Sequence, residues 1–357
     1  MPFHFLAGAN LLYLLKLIFK NGVGFQFLFL FRIISSLALA LIMAPFSFLE
    51  WLLFKKRIED TRIDTAVFII GHPRSGTTYL HYLLSKDPQF SYCSIVQCFF
   101  PSTFKLFGWL PKIFFKISLP EKRHMDDLRL SYDAPFEEEF ALGNQVEQSM
   151  ACGYYFPKRL MYYFSKGVLL TERSDRLNWQ KHWSFYLKKI AWLNKCNKLV
   201  VKSPYNICRT DAILEEFPHA KFIHIYRDPM EVYVSSKKLL QKILPEMALQ
   251  SWNETMIEDF VMRSYKDTMQ TFLKNKKNIP KGQLLEIAYT DLVNNPEKEV
   301  EKVYKALAIS KLNNSVVEIK KEIASYADYK VSEYQFTAEM SQKLKNQWKF
   351  IYEAYNF

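Results

Sequence analysis

The chain has 357 residues, 49% of them hydrophobic and 16% aromatic, which is ample core material for one large α/β domain plus an appendage. Its net charge of +12 favours polyanionic ligands or anionic lipid headgroups; with no arginine-rich tail or nucleic-acid motif, nucleic acid is not the partner this charge points to. The cysteines (Cys93, Cys98, Cys152, Cys196 and Cys208) have no paired metal spacing, which argues against a zinc site or a disulfide framework and fits reduced thiols in a cytosolic domain.

Residues 1–57 read as a hydrophobic, membrane-associated helical segment, and residues 58–357 as the domain that carries the chemistry. Up to residue 54 the charged residues are only Lys16, Lys20, Arg32 and Glu50, a net of 3 − 1 = +2, so +10 of the +12 belongs to the rest. Phe5 to Phe19 is apolar apart from Asn10 and Lys16, and a second run extends from Phe25 to Phe54. Ile33 to Leu49 carries no charge, close to the lower limit for a spanning helix, although Pro45 and the Ser35–Ser36 pair count against a straight span. The stretch is too long for a cleavable signal, and the Lys55-Lys56-Arg57 that follows would hold the domain on the cytoplasmic face of a membrane. Three arrangements are open: a spanning or re-entrant helix, amphipathic helices in the interface, or helices packed on the domain as extra core.

Next comes Val67-Phe-Ile-Ile-Gly71-His-Pro-Arg74-Ser75-Gly76-Thr77-Thr78. Residues 65–70 predict a strand and 76–86 a helix. A strand that turns through glycines into a helix N-terminus presents a concave row of backbone N–H groups, suited to phosphate-like anions. Gly71 and Gly76 have P-loop spacing, but Thr77 stands where a nucleotide triphosphatase needs lysine. Arg74, inside the loop, offers a planar fork for oxyanions. The bland alternative is a tight turn whose glycines serve only packing.

Ile95 to Leu119, rich in phenylalanine and holding Trp109, has no clean period. It suits a cap on an apolar substrate pocket, a bilayer contact or ordinary packing. Leu199-Val-Val predicts a short strand entering Lys202-Ser203-Pro204, with a helix at 207–217. Residues 220–226 predict a strand feeding Arg227-Asp228-Pro229 and another helix. Residues 253–275 and 298–307 read as helical, with a strand at 284–288 between them and Pro296 at a helix start. Strands alternating with helices predict a parallel sheet with ligands at the carboxyl ends of the strands. Arg74 to Thr78, Lys202, and Arg227 with Ser235 then converge on one edge, where a nucleotide with phosphates at two positions fits.

The loop Gly71 to Thr78, the Lys202-Ser-Pro204 strand end and the Tyr226-Arg-Asp-Pro229…Ser235 unit resemble the PAPS-dependent sulfotransferase family. In particular they resemble its bacterial branch, related to protein-tyrosine and carbohydrate sulfotransferases. Tyr289-Thr-Asp-Leu-Val-Asn-Asn-Pro296 also resembles a family segment, with Thr290 in place of the usual glutamate. The likeness covers about residues 65–310. It implies an α/β sulfotransferase fold, a P-loop-like parallel sheet flanked by helices, with the apolar N-terminal segment added. The Arg-Lys-Gly clamp of cytosolic members is absent, leaving Lys343 and Lys345 as candidates for closing over the cofactor.

The resemblance implies PAPS as co-substrate, PAP as product and no metal. Arg74, Ser75, Gly76, Thr77 and Thr78 would hold the 5′-phosphosulfate, and Arg227 and Ser235 the 3′-phosphate. Arg74 and Lys202 would stabilise the bridging oxygen of an in-line transfer. The acceptor hydroxyl needs a base. Tyrosine sulfotransferases carry a glutamate soon after the loop helix, where this chain has Ser94-Ile95-Val96. A Pro-x-Glu segment similar to that of bacterial relatives favours Glu137, with His124 as runner-up because the cytosolic branch uses histidine. Alternatively, Glu137 to Glu139 form the acidic first turn of a helix. The apolar N-terminus and the aromatic 95–119 segment point to a hydroxylated apolar acceptor, such as a sterol or lipid, and to a membrane surface. Carbohydrate or tyrosyl acceptors are the alternative. A P-loop kinase or ATPase would need the missing lysine, and a non-catalytic binding protein would bind PAP without transfer.

Overall fold

In the computed structural model, which describes residues 4–109, 131–310, 313–326, 334 and 336–357, a four-stranded sheet forms the centre. The strands are β1 (Thr65–Ile70), β2 (Lys198–Lys202), β3 (Lys221–Tyr226) and β4 (Leu284–Ala288), all parallel in the order β2-β1-β3-β4. β1 is buried from Ala66 to Ile70, as its unbroken apolar run requires of a strand covered on both faces. Each such side chain withdrawn from water stabilises the fold by roughly 1.5–3 kcal/mol. Because the chain leaves β1 towards β2 and then crosses back to β3, the order reverses beside β1. That reversal is the crevice in which open α/β sheets bind ligands.

The principal helices are α1 (Leu11–Asn21), α2 (Phe27–Glu59), α3 (Thr77–Leu84), α4 (Glu138–Gly143), α5 (Arg173–Asn194), α6 (Pro229–Met247), α7 (Glu254–Asn275), α8 (Tyr289–Asn294) and α9 (Pro296–Ala306). The helix expected at 207–217 is divided into a 3₁₀ segment, Pro204–Cys208, and a helix, Thr210–Glu216. The Arg227-Asp228-Pro229 unit has a local cause. Asp228 Oδ1 accepts from the backbone of Met230 and Glu231, and Pro229 is pre-set for the first helical position. Asp228 is thus a helix cap.

The N-terminal segment is joined to this core. Leu6, Leu14 and Leu17 are fully buried in the same apolar cluster as Phe68 and Trp183. His4 donates to the Met247 carbonyl at 2.9 Å, and burial holds its imidazole down to about 4, hence neutral. Among the described residues α2 is the one helix long and apolar enough to cross a membrane, by length and composition alone. It continues unbroken through Pro45, which lies on its exposed side. Of the 95–119 segment, Phe99, Phe100 and Phe104 are buried core and Phe107 packs on Phe46 of α2, whereas Trp109 is exposed. Residues beyond 109 in that segment lie outside the described residues. The five cysteines are unpaired.

Candidate active site

The register of the sheet decides what meets at its carboxyl edge. Ile69 is level with Lys202, Ile70 with His224, and Tyr226 with Ala288. The segments that follow, starting at Gly71, Ser203, Arg227 and Tyr289, therefore emerge side by side.

The loop after β1 is shaped by close approaches. A Cβ on Gly71 would lie 2.6 Å from the Ile225 carbonyl, and one on Gly76 2.5 Å from the Tyr289 ring, so neither position has room for a side chain. Gly76 also has φ +98°, a conformation that costs other residues dearly. Arg74 adopts φ +76° in spite of its side chain, at a cost of about 1–2 kcal/mol, and strain of that kind concentrates at functional sites. Among the described residues Ser75 Oγ is buried with no hydrogen-bond partner, and the first N–H groups of a helix such as α3 have no acceptor in a preceding turn. An orphaned hydroxyl beside open amides fits an oxyanion such as a phosphate or sulfate group.

Arg74 links two clusters. Its Nε donates to Ser235 Oγ at 2.8 Å, and its carbonyl accepts from Arg227 Nη1 at 3.2 Å. Arg227 also bonds Glu231 at 2.6 Å, and its guanidinium lies over the Tyr289 ring, 4.1 Å from the centroid. Tyr334 lies 5.9 Å away over the same guanidinium, with Lys238 4.8 Å from the Tyr334 ring. On the other side of the loop Lys202, almost fully buried, donates to Thr78 Oγ1 at 3.3 Å and is ion-paired with Glu137. Arg74, Thr78, Lys202, Arg227, Ser235 and Glu137 are thus gathered around one strand–loop–helix turn.

The three consecutive glutamates have three different environments. Glu137, ahead of the first turn of α4, keeps part of its carboxylate exposed and faces Lys202. Glu138 is buried against Asn206 Nδ2 (2.6 Å) and Trp183 Nε1 (3.4 Å); burial pushes its carboxyl up to about 7. Glu139 is buried in a two-pronged ion pair with Arg209, at 2.7 and 3.1 Å, and accepts from the Met150 N–H. The acidic first turn expected from the sequence therefore comprises Glu138 and Glu139, while Glu137 points to the lysine. His124 lies outside the described residues. Lys343 and Lys345 are exposed on the helix Ala338–Gln347.

Beside the loop is a small, partly open pocket, walled on the apolar side by Phe164, Leu239, Leu240, Phe260 and Val261. Its polar side is formed by His72, Ser236 and the hydrogen-bonded hydroxyls of Tyr154 and Tyr205. His72 Nδ1 donates to the Pro73 carbonyl at 2.8 Å, which leaves Nε2 as the acceptor nitrogen; burial lowers the imidazole to about 4, so it is neutral. Sequence reasoning gave no role to this cavity, to Glu231 or to the ring of Tyr289. Tyr289 had one usable signal, its place immediately after β4. The Tyr154–Tyr205 pair had none, because 51 residues separate its members. Among the described residues no group of three or more histidine, cysteine, aspartate or glutamate side chains could hold a metal ion.

Residues 66–313 match the model of the sulfotransferase family. The chain is 30% identical over 308 residues to the omega-hydroxy-beta-dihydromenaquinone-9 sulfotransferase Stf3 of Mycobacterium bovis, covering 86% of this chain and 79% of that protein. A protein of the same name from Mycobacterium tuberculosis matches equally. In fold it is similar to the sulfotransferase STF1 of Mycobacterium tuberculosis (TM-score 0.69, 18% identity, 94% of this chain and 89% of that one). It is likewise similar to STF9 of Mycobacterium avium (TM-score 0.68, 14% identity, 96% of each chain). The parallel sheet with its glycine-bounded loop, and the family match across most of the chain, place this protein in the sulfotransferase family.

Proposed function

We propose that this sulfotransferase moves a sulfuryl group from PAPS to the hydroxyl of an apolar alcohol of the lipid or sterol class, at the cytoplasmic face of a membrane. Residues 58–357 would form the transferase domain and residues 1–57 the membrane-associated segment. The observation that carries the reading is Lys202, buried at a strand end and held between Thr78 of the anion loop and the Glu137 carboxylate.

PAPS, when bound, supplies an activated sulfuryl group. The loop Arg74 to Thr78 would grip the 5′-phosphosulfate, where Ser75 Oγ has no protein partner to give up. Arg227 and Ser235, both tied to Arg74, would hold the 3′-phosphate. Arg74 and Lys202 offset the negative charge that gathers on the bridging oxygen as its bond to sulfur breaks. Glu137 takes the proton of the attacking hydroxyl, and its pairing with Lys202 orients it for that task.

The acceptor class rests on the apolar walls of the adjoining cavity, and on the menaquinone-derived alcohol in the name of the Stf3 relatives. A carbohydrate or tyrosyl acceptor would be better served by a polar cleft. Thr77, in place of a P-loop lysine, weighs against a kinase or NTPase. Labelled PAPS offered with sterols, lipid alcohols, sugars and peptides tests the reading: transfer to apolar alcohols is expected, and transfer to sugars alone overturns the acceptor class. Glu137→Gln should lower turnover by roughly 10²-fold or more while PAP affinity, measured by calorimetry, stays near normal. If PAP gives no heat while Mg-ATP binds tightly, the donor assignment fails.

A further inference from the structure

The face of α2 turned away from the domain has no protein partner among the described residues, and its pattern identifies what would cover it. The buried positions Phe29, Ile33, Ser36, Ala40, Met43 and Glu50 recur at steps of three, four and finally seven, and form one seam. A second seam, offset by two residues and therefore on the opposite side of the helix, contains Phe27, Phe31, Ile34, Leu41, Phe48 and Leu52. Every one of these six is exposed, Phe27 by 85% and Ile34 and Leu41 by 63% each. Phe19 and Phe25, exposed by 85% and 95%, continue the surface past the α1–α2 turn. A continuous apolar strip of this length exceeds what a soluble monomer leaves in water.

The inner seam argues against an ordinary span. Glu50 is ion-paired with Lys189, which also donates to the Pro101 carbonyl at 2.7 Å, and Glu50 accepts from the backbone of Lys105 and Leu106 at 3.0 and 2.8 Å. Pulling α2 off the domain to cross a bilayer would strand both charges. Arg32 fastens the other end of α2 to the carbonyls of Pro245 and Ala248 at the end of α6.

Cations stand at both ends of the strip. Lys55, Lys56 and Arg57 follow its last apolar turn, with the Lys55 ammonium 4.9 Å from the Trp51 ring. Past the end of α1 the half-exposed Tyr162 ring is surrounded by Lys20, Arg159 and Lys166 at 5.4–5.9 Å. Lys20 and Lys166 are partly neutralised by Glu147 and Asp175. Aromatic rings beside cations are the side chains that settle at a headgroup layer, and positive charge complements anionic lipid. Along α6, Leu239 and Leu240 of the pocket wall precede Pro245, where Arg32 is anchored, by about 7–9 Å.

We propose that the outward seam of α2, with Phe19 and Phe25, is a docking face for a bilayer with anionic headgroups, on which the helix lies in the membrane plane while its inner seam stays on the domain. This deepens the membrane part of the reading above and does not depend on the identity of the acceptor.

The test uses the full chain and vesicles of phosphatidylcholine, with or without phosphatidylglycerol. Binding to the anionic vesicles is expected, and about tenfold weaker binding to phosphatidylcholine alone, the effect of one or two cations at the surface. Ile34→Glu with Leu41→Glu should abolish binding while the melting temperature and PAP affinity are unchanged. Lys55→Gln with Lys56→Gln should remove the preference for anionic lipid. For geometry, Phe25→Cys and Arg57→Cys are each placed in a Cys196→Ser background, since the other native thiols are buried. Both ends should react with a membrane-impermeant maleimide only after cells are lysed.

Labelling of one end in intact cells would make α2 a span and overturn the proposal. Equal binding to both vesicle types would overturn the headgroup preference. Absence of vesicle binding, with a dimer seen by light scattering, would assign the face to a second copy of the chain. Vesicle binding without transfer to any alcohol would refute the proposed acceptor and leave the docking face standing.

Discussion

The carboxyl edge of the sheet and the outer face of α2 depart from ordinary burial in opposite directions. At the sheet edge, charges lie inside: Lys202, Arg209, Glu138 and Glu139 are almost wholly withdrawn from water. Along α2, phenylalanine, leucine and isoleucine lie outside. Lys202, Arg209 and Glu139 are tolerable there because each has a charged partner, and Glu138, which faces only neutral donors, is pushed towards its protonated form instead. The outer apolar residues have no such compensation among the described residues. Each region therefore invites a partner outside the described residues, proposed above as an anion for one and a bilayer for the other.

The largest effect should come from the scaffold behind the sheet edge. Arg209→Met leaves Glu139 buried and unpaired, and should destabilise the protein by about 3–5 kcal/mol in chemical denaturation. A much smaller loss would mean that this edge is wetter than its geometry implies. Lys202→Met should lower turnover by roughly 10²–10³-fold, the usual consequence of removing one donor from a developing oxyanion. Unchanged turnover in the labelled transfer assay would remove Lys202 from the chemistry.

Glu138 sharpens the comparison through pH. Burial raises its carboxyl from 4.5 to about 7, so the folded state holds a proton that the unfolded state releases. The associated stability is complete below pH 4.5 and is lost as pH rises through about 7. Denaturation at a series of pH values should show that decline, by as much as about 1.4 kcal/mol per unit, and Glu138→Gln should flatten it. A slope unaffected by the substitution would place the proton elsewhere. On the other side of the comparison, Ile34→Glu should alter thermal stability by no more than about 0.5 kcal/mol, as expected of an exposed position. A larger loss would show that the outer seam is packed against protein after all.

Much of the sheet edge was legible in the sequence because it is written locally. Val67 to Ile70 is an uninterrupted apolar run, and Gly71, Pro229 and Pro296 mark where the chain must turn or start a helix. Strand ends in a parallel sheet lie together by construction, so the neighbourhood of Arg74, Lys202 and Arg227 followed from element order. The pairing of Arg209 with Glu139 did not, because it depends on how a loop 70 residues away is laid over the sheet. Nor did the separate fates of Glu137, Glu138 and Glu139, since helical phase alone cannot tell which carboxylate meets a lysine. In α2 both seams are apolar, so the sequence shows one hydrophobic run, and only the docked helix distinguishes inside from outside.

His4, fastened to Met247 across 243 positions of chain, carries an implication for biogenesis. The segment His4–Asn21 is synthesised well before α6, whose end supplies one of its contacts in the core. Until then the apolar cluster that buries Leu6, Leu14 and Leu17 is incomplete, and a nascent chain with such a surface open is prone to aggregate unless another apolar medium receives it.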